Sequence, residues 1–402
     1  MAYIPPHKRH SSSSPAPESL LPPHFRKNLS LSDRNSNSRS TRKDKGSKLI
    51  YADNAISKWF VVGLPNSDKE DESSRNLSAL TRFEPVSLGS FAKKSGETPL
   101  VLVLKDDSAE REDAFVEKPW VFVVENVKQD LLAALDRVKS EILENELDGV
   151  KPTLVARVGR VLFHGNLSYL HSWTESSLRT SKRSFYTNVP LSYMEHLTNE
   201  IVQKVGLDFE GDKELYHVKI SDNLQPDSTI SCKCAVRKDC KSIELYKIEF
   251  NQVRPLVVDM SFLRKSLDLR LMLTTKRIVI SLTDDEEDCI KALISCAILD
   301  PDVKGGLRWP LGKDTLGGRY TIVGVWHTSA KTYRSSSFRL KVRRADRFDF
   351  RTSSGEVSGE VILKMHGVVA LMQKQTFEND KVVQLLGDDL KFIWDHFMCI
   401  NK

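Results

Sequence analysis

Apolar and polar side chains alternate most regularly between Phe338 and Phe350. Phe338, Leu340, Val342, Phe348 and Phe350 are apolar at even positions, while Arg339, Lys341, Arg343, Arg347 and Asp349 are polar at odd ones. A half-buried antiparallel strand has this period of two. Upstream, Lys58–Gly63, Leu100–Leu104 and Trp120–Val124 are short apolar runs expected as buried strands. From about Lys128 to Leu147 the period changes: Leu131, Leu135, Val138 and Ile142 fall on one face of a helix, which Gly149 and Pro152 are expected to end. Leu154–His164 returns to strand. A second helix is expected from Pro190, a residue suited to a first turn, to Gly206, with Met194, Leu197, Ile201 and Val205 inward.

The second half is richer in strands, expected at Leu215–Ser221, Thr229–Val236, Ser242–Phe250, Asp268–Thr274, Arg277–Leu282 and Glu360–Leu371. Thr283-Asp284-Asp285-Glu286 has the form of a capping box and predicts a helix containing Ile290, Leu293 and Ala297. A last helix carries Val382, Leu386, Leu390, Ile393 and Phe397. The pattern predicts an α+β protein of two packed units, residues 49–207 and residues 208–402, the second built on an antiparallel sheet. A disordered basic tail, residues 1–48, rich in Ser, Pro, Arg, Lys and Asn, precedes them.

Charge sharpens this picture. The 402 residues carry a net charge of +6, but Met1–Lys48 alone holds ten cations against three acids, leaving the remainder slightly negative. Lys304–Arg351 has twelve cations against three acids, so acids elsewhere, such as Asp284–Asp288, offset it and the surface is expected to be polarised. With 40% apolar and 28% charged residues the composition is globular. No run approaches the roughly 18 apolar residues of a membrane span, and the opening MAYIPPHKRH lacks a signal peptide's apolar core. Six cysteines in this length fit reduced thiols, so a cytoplasmic or nuclear protein with no membrane partner is expected.

Two cationic elements are the candidate chemistry. The glycine-punctuated loop after Lys304 carries Arg308, Trp309, Lys313 and Arg319: the cations suit phosphates and the indole suits a base. It is not a P-loop, because five residues separate Gly306 from Gly312 and Asp314 stands where Ser or Thr would hold magnesium. The strand face Arg339, Lys341, Arg343 and Arg347 reads either as a solvated sheet face or as a phosphate-binding surface. Four phosphate contacts there would give a log–log salt slope of about −3 to −4. Cys232, Cys234 and Cys240 lack the spacing of a zinc knuckle, and no serine sits in a nucleophile elbow, so neither a metal nor another cofactor is expected. A barrel lined by alternating Arg, Lys and Glu, as in tunnel-type RNA triphosphatases, needs paired glutamates on one face. Glu244 and Glu249 have opposite parity, which argues against it.

The MAYIPPHKRH opening and the block KGGLRWPLGKDTLGGRY resemble an uncharacterised plant family of unknown function, which implies no activity. Tyr3, Ile4, Pro5, Pro6 and Arg9 form a segment similar to short motifs in the tails of some DEAD-box RNA helicases. These features together predict a non-enzymatic protein that binds RNA or a ribonucleoprotein through sequence-independent phosphate contacts. A scaffold that captures protein partners with Tyr3–Arg9 is the alternative, and a phosphoester-processing enzyme is third.

Overall fold

The computed structural model of the chain describes residues 50–63, 77–86, 98–105, 117–144, 151–165, 172–237, 242–278, 282–374 and 378–398. The expected tail, residues 1–48, with its Tyr3–Arg9 segment, lies outside the described residues, as does Cys240. Strand β1 (Ile50–Val62) leads to the short strands β2 (Thr81–Pro85) and β3 (Leu100–Leu104). Helix α1 (Pro119–Glu144) then precedes β4 (Pro152–Phe163), α2 (Glu175–Arg179) and β5 (Arg183–Tyr186). Helix α3 starts as Leu191–His196 and passes through a π-turn, Leu197–Ile201, to Val202–Lys204.

Four long strands follow: β6 (Asp208–Asp222), β7 (Gln225–Val236), β8 (Ile243–Phe262) and β9 (Asp268–Ile278). Helix α4 (Asp284–Ser295) starts at the expected capping box: Thr283 Oγ1 accepts from the Glu286 amide, and the Glu286 carboxylate accepts from the Thr283 amide. After the two-residue strands β10 (Ile298–Leu299), β11 (Leu307–Arg308) and β12 (Thr315–Leu316) come β13 (Tyr320–Arg334), β14 (Arg339–Asp349) and β15 (Ser354–Lys364). Helices α5 (His366–Met372) and α6 (Asn379–Phe397) end the described chain. The protein is α+β with a large, mostly antiparallel sheet. No described helix is long and apolar enough to cross a membrane.

The sheet closes on itself. Antiparallel pairing runs β4, β9, β8, β7, β6, β13, β14, β15 and back to β4, so eight strands form a ring. β1 adds to β8 in parallel, and β3 and β5 extend β4 beyond the ring. The outer wall is apolar. Leu154, Ala156 and Val158 of β4, Leu269, Leu271 and Leu273 of β9 and Leu340 and Val342 of β14 pack in one cluster with Val127, Leu131 and Leu135 of α1 and Leu386, Leu390 and Ile393 of α6. On another sector, Val218, Ile230, Cys232, Cys234 and Val325 pack with Ile290, Leu293 and Ile294 of α4. A barrel whose outside is its core must turn its polar alternate residues inward.

Several expectations change. Trp120–Val124 is the opening of α1, not a strand: Pro119 takes the first helical position, and Val123, Val124, Val127, Leu131, Ala134, Leu135 and Val138 make one continuous buried face. The strand expected to stop at Phe250 continues as β8 to Phe262. β9 runs unbroken to Ile278, so Arg277 does not begin a new strand. Glu360–Leu371 divides into the end of β15 and α5, because the β4 pairing ends at Lys364 and the Gly367 amide turns to the Ser337 carbonyl at 2.8 Å. No boundary falls between residues 207 and 208. Leu49–Lys402 is a single compact unit, because β4 from the first half fills the gap between β15 and β9 of the second.

Candidate functional site

Directly opposed residues in an antiparallel ladder share a face, so the register defines the inner wall. Asp259 on β8 faces Arg270 on β9, which faces Arg157 on β4; Arg157 faces Ile362 on β15, and Ile362 faces Lys341 on β14. Further along β14 and on the same face, Arg343 opposes Glu360, and Arg347 opposes both Glu356 and Trp326. Trp326 faces His217 of β6, which faces Lys233 of β7. Lys219 lies two residues beyond His217 on the same side. The cationic face Arg339, Lys341, Arg343 and Arg347 is therefore neither a solvated sheet exterior nor an open surface for a nucleic acid strand. Arg343 and Arg347 meet cations from other strands inside the ring. Arg339 ends the face, with Nη2 donating to Glu210 Oε1 at 2.5 Å.

Inner carboxylates are paired. Arg270 makes a two-point contact with Asp259, Nε to Oδ1 at 2.5 Å and Nη2 to Oδ2 at 2.7 Å. Lys233 Nζ donates to Glu249 Oε1 at 2.8 Å. Glu360 accepts from Arg343 Nε at 2.8 Å on one oxygen and from Arg347 Nη2 on the other. Burial alone would raise the Glu360 pKa, but the guanidinium groups of Arg343, Arg347 and Arg157 outweigh it and hold the carboxyl at about 2. Tyr186 OH donates to Glu356 Oε1 at 2.7 Å.

Cations exceed these acids, and the excess is felt electrostatically. Arg157 is pushed down to about 10 by burial, an effect opposed by Glu360 and reinforced by Arg343, Arg254 and Arg347; its Nε is buried with no hydrogen-bond partner. Arg254 falls to about 10 through burial and then Arg270. Lys219, over the Trp326 ring at 5.1 Å, is lowered by burial, then by Arg347 and Arg351. His217, stacked on Trp326 with centroids 4.9 Å apart, drops to about 3 through burial and then Arg343, Lys233 and Lys341, so it is neutral at physiological pH. Lys341 falls to about 8 through burial, then through Arg343, Lys364, Lys233 and Lys213. Cationic groups from seven strands, β4, β6, β7, β8, β9, β14 and β15, thus share one positive interior.

The Lys341 shift carries a stability prediction. An unfolded lysine keeps its proton to about pH 10, whereas folded Lys341 begins losing it near 8. Between those values the unfolded state binds more protons, so this residue's contribution to stability rises with pH. Lys341→Met is expected to raise the unfolding free energy at pH 7 by about 1–3 kcal/mol and to lose that gain by about pH 10. Urea denaturation of both proteins from pH 7 to 10 checks this.

The loop residues Arg308, Trp309, Lys313 and Arg319 do not join the interior. Gly305 and Gly306, at φ 81° and 71°, let the loop lie against Val325 and Tyr216, where a Cβ would collide. Arg308 Nε donates to Asp300 at 2.7 Å, and Arg319 bridges Asp222 and Glu286 at 2.9 and 2.7 Å. Trp309 is half-buried, its indole N–H donating to the Leu293 carbonyl at 2.9 Å, so the ring supports α4. Lys313 is exposed. Cys232 and Cys234 are buried on the outer face of β7, where burial raises both thiol pKa values, that of Cys234 to about 12. Among the described residues no three His, Cys, Asp or Glu groups are placed to hold a metal ion.

Arg157, Arg254, Arg270, Lys219, Lys233, Trp326 and Glu360 were not singled out from the sequence, and His217 stood out only as a distant companion of the cysteines. A signal exists in repeated triplets of apolar, cation, apolar: Ala156-Arg157-Val158, Val218-Lys219-Ile220, Leu269-Arg270-Leu271 and Leu340-Lys341-Val342. Each is a strand whose apolar face is covered and whose opposite face carries charge.

The family described as a domain of unknown function, DUF7903, matches residues 43–397. A comparison of the sequence with curated proteins finds no match. Among solved structures, the chain is similar to that of S. pombe Pct1 RNA triphosphatase, at 10% identity over 64% of this chain and 89% of that one, with a TM-score of 0.39. The structure of that protein in complex with the Spt5 CTD gives 9% identity over 66% and 91%, with a TM-score of 0.39. A putative adenylate cyclase from Bacillus halodurans gives 10% identity over 54% and 90%, with a TM-score of 0.24. Likenesses of this grade carry no argument about function.

Proposed function

The chain belongs to the family described as a domain of unknown function, DUF7903, and because that membership brings no activity with it, we propose from the geometry that the barrel binds a compact polyphosphate anion. The triphosphate group of a nucleotide or of an RNA end has this chemistry. One observation carries the reading: Arg157, with its Nε buried and unpartnered, sits among Arg254, Arg343 and Arg347, whose charges act against its own, while Glu360 acts in its favour. Phosphate oxygens supply both the missing charge and the missing acceptors, and guanidinium groups match them in two-point geometry. Lys341, with Lys213, Lys233 and Lys364 acting on it, forms a second cationic group further along the wall, which favours a ligand with more than one phosphate.

An eight-stranded barrel has room inside for side chains or one small ligand. RNA contact is therefore with terminal phosphates, not along a backbone laid over the sheet. His217 is too weak a base at about pH 3 to activate water, and the inner carboxylates Asp259, Glu249 and Glu360 are already engaged with cations. Binding without hydrolysis is the reading these groups favour over phosphoester processing. Nothing in the barrel favours the adaptor reading, which concerns Tyr3–Arg9.

Calorimetric titration of the full chain with inorganic tripolyphosphate and with orthophosphate, across a sodium chloride series, tests the proposal. Saturable tripolyphosphate binding is expected, roughly tenfold or more tighter than orthophosphate and weakened by salt. Absence of saturable binding at low salt rejects it. Release of phosphate from tripolyphosphate with magnesium or manganese added would move the assignment to an enzyme.

A further inference from the structure

Glu360 occupies the place of a ligand anion. Its side chain is 1% exposed, and both oxygens are held: Oε2 by Arg343, through Nε at 2.8 Å and Nη2 at 2.5 Å, and Oε1 by Arg347. This is how guanidinium groups surround a phosphate. The strand that carries Glu360 is fixed from its flank. The Gly359 amide donates to Asn188 Oδ1 at 2.8 Å, and the Gly359 carbonyl accepts from the Val189 amide at 2.9 Å. A Cβ at Gly359 would press on Met194 and the Val189 carbonyl, so the backbone has little room to shift. The carboxylate therefore cannot leave by strand movement and stays beside whatever enters.

Two unsatisfied groups lie close to it in the fold. Ser358, 3% exposed and two residues back on the same inner face, has a buried Oγ with no partner, and Arg157 Nε is in the same condition. Buried polar atoms left without partners are destabilising, and these two await an acceptor that Glu360 does not supply. We propose that Glu360 is a resident counter-anion that competes with the incoming phosphate ligand for Arg343 and Arg347, so that the barrel admits multiply charged ligands and rejects weakly charged ones. This rests on the reading of the barrel as a polyphosphate site. A ligand of low charge gains little by displacing or sitting beside a carboxylate that already neutralises both arginines. A chain of phosphates brings enough charge to engage Arg157 and the lysine group as well.

The test is Glu360→Gln, which removes the charge and keeps the shape, titrated as the full chain with inorganic tripolyphosphate and orthophosphate beside the wild type. Tripolyphosphate is expected to bind about tenfold tighter to the variant, and orthophosphate to gain proportionally more, so that the ratio of the two affinities falls. A merely structural glutamate would weaken both ligands, and equal or weaker binding by the folded variant overturns the proposal. Wild-type binding with no tightening in the variant rejects Glu360 alone. No binding to either protein rejects the barrel site and this proposal with it. Glu360→Asp guards against misfolding of the Gln variant, because it keeps the charge while drawing the carboxylate back from both arginines. It is expected to tighten tripolyphosphate binding roughly two- to fivefold, and an unchanged affinity overturns the proposal.

Discussion

Arg157→Met is expected to make the free protein more stable and to weaken tripolyphosphate binding by about 100-fold. The two effects share a cause. Burial pushes Arg157 down to about 10, three neighbouring guanidinium groups act in the same direction, and its Nε lacks a partner, so the folded protein without ligand carries a charge it does not need for packing. Methionine keeps much of the stem's length and removes the charge. Replacing buried ionic groups by apolar ones of similar size is neutral or stabilising by about 1–4 kcal/mol, and a gain of about 1–3 kcal/mol is expected here. Glu360 keeps its contacts with Arg343 and Arg347 in the variant. Ligand binding loses a charge-assisted donor at the centre of the site, and a 100-fold loss corresponds to about 2.7 kcal/mol. Urea denaturation and calorimetric titration of the same preparation check both effects. A variant that is less stable yet binds as tightly as the wild type would make Arg157 a structural residue.

Asp259→Ala has the opposite sign. Asp259 is 7% exposed and Arg270 is 8% exposed; they oppose each other on β8 and β9 with both carboxylate oxygens engaged. Removing the acid leaves the Arg270 guanidinium beside Arg157 across β4 and close enough to Arg254 to lower it. Breaking a buried pair from one side is expected to reduce the unfolding free energy by about 3–5 kcal/mol. Joint replacement, Asp259→Leu with Arg270→Met, is expected to recover most of that loss, because no buried charge is then left unpaired. Equilibrium denaturation of the single and double variants measures the difference. A single variant within about 1 kcal/mol of wild type would show that Arg270 finds another partner.

Much of the secondary structure was legible because local periods encode it. The alternation from Phe338 to Phe350 marked β14, the spacing of Leu131 to Ile142 marked most of α1, and Thr283 to Glu286 marked the start of α4. Failures occurred where one local pattern fits two structures. Five apolar residues, Trp120–Val124, suit a buried strand or the first turns of a helix, and only packing against the barrel wall decided between them. β8 runs on past Phe250, where the expected strand stopped, and through Arg254-Pro255, a dipeptide ill suited to a sheet interior. The register shift between Val253 and Leu256 accommodates the proline, so the strand continues past it.

The candidate site was half legible for the same reason. Arg339, Lys341, Arg343 and Arg347 stood out as one face of one strand, but their surroundings come from distant parts of the chain. The opposite parity of Glu244 and Glu249 misled, because the register shift between Lys233 and Cys234 places a bulge between them: Glu249 opposes Ser231 and reaches Lys233 at 2.8 Å, and Glu244 opposes Ala235 on the same face, exposed beside Arg237. Counting parity along the sequence cannot see a bulge, so it bore neither on which face Glu244 takes nor on whether a cationic barrel forms. The loop around Trp309 drew notice for its glycines and cations, which serve close packing on the barrel's outside.

The sequence by itself determined the order and type of most elements and which residues share a face, because a period of two or of 3.6 residues is a property of neighbours along the chain. It also determined that one strand would carry four cations in step. Only the tertiary structure decided that this strand joins a closed ring, that helices cover the ring's outer face, and that its cations turn inward to meet Arg157 and Glu360. Alternation makes two faces without saying which is inside. That choice belongs to closure, which brings β4 against β15 and β9 across some 110 to 200 residues of chain and so leaves no local mark.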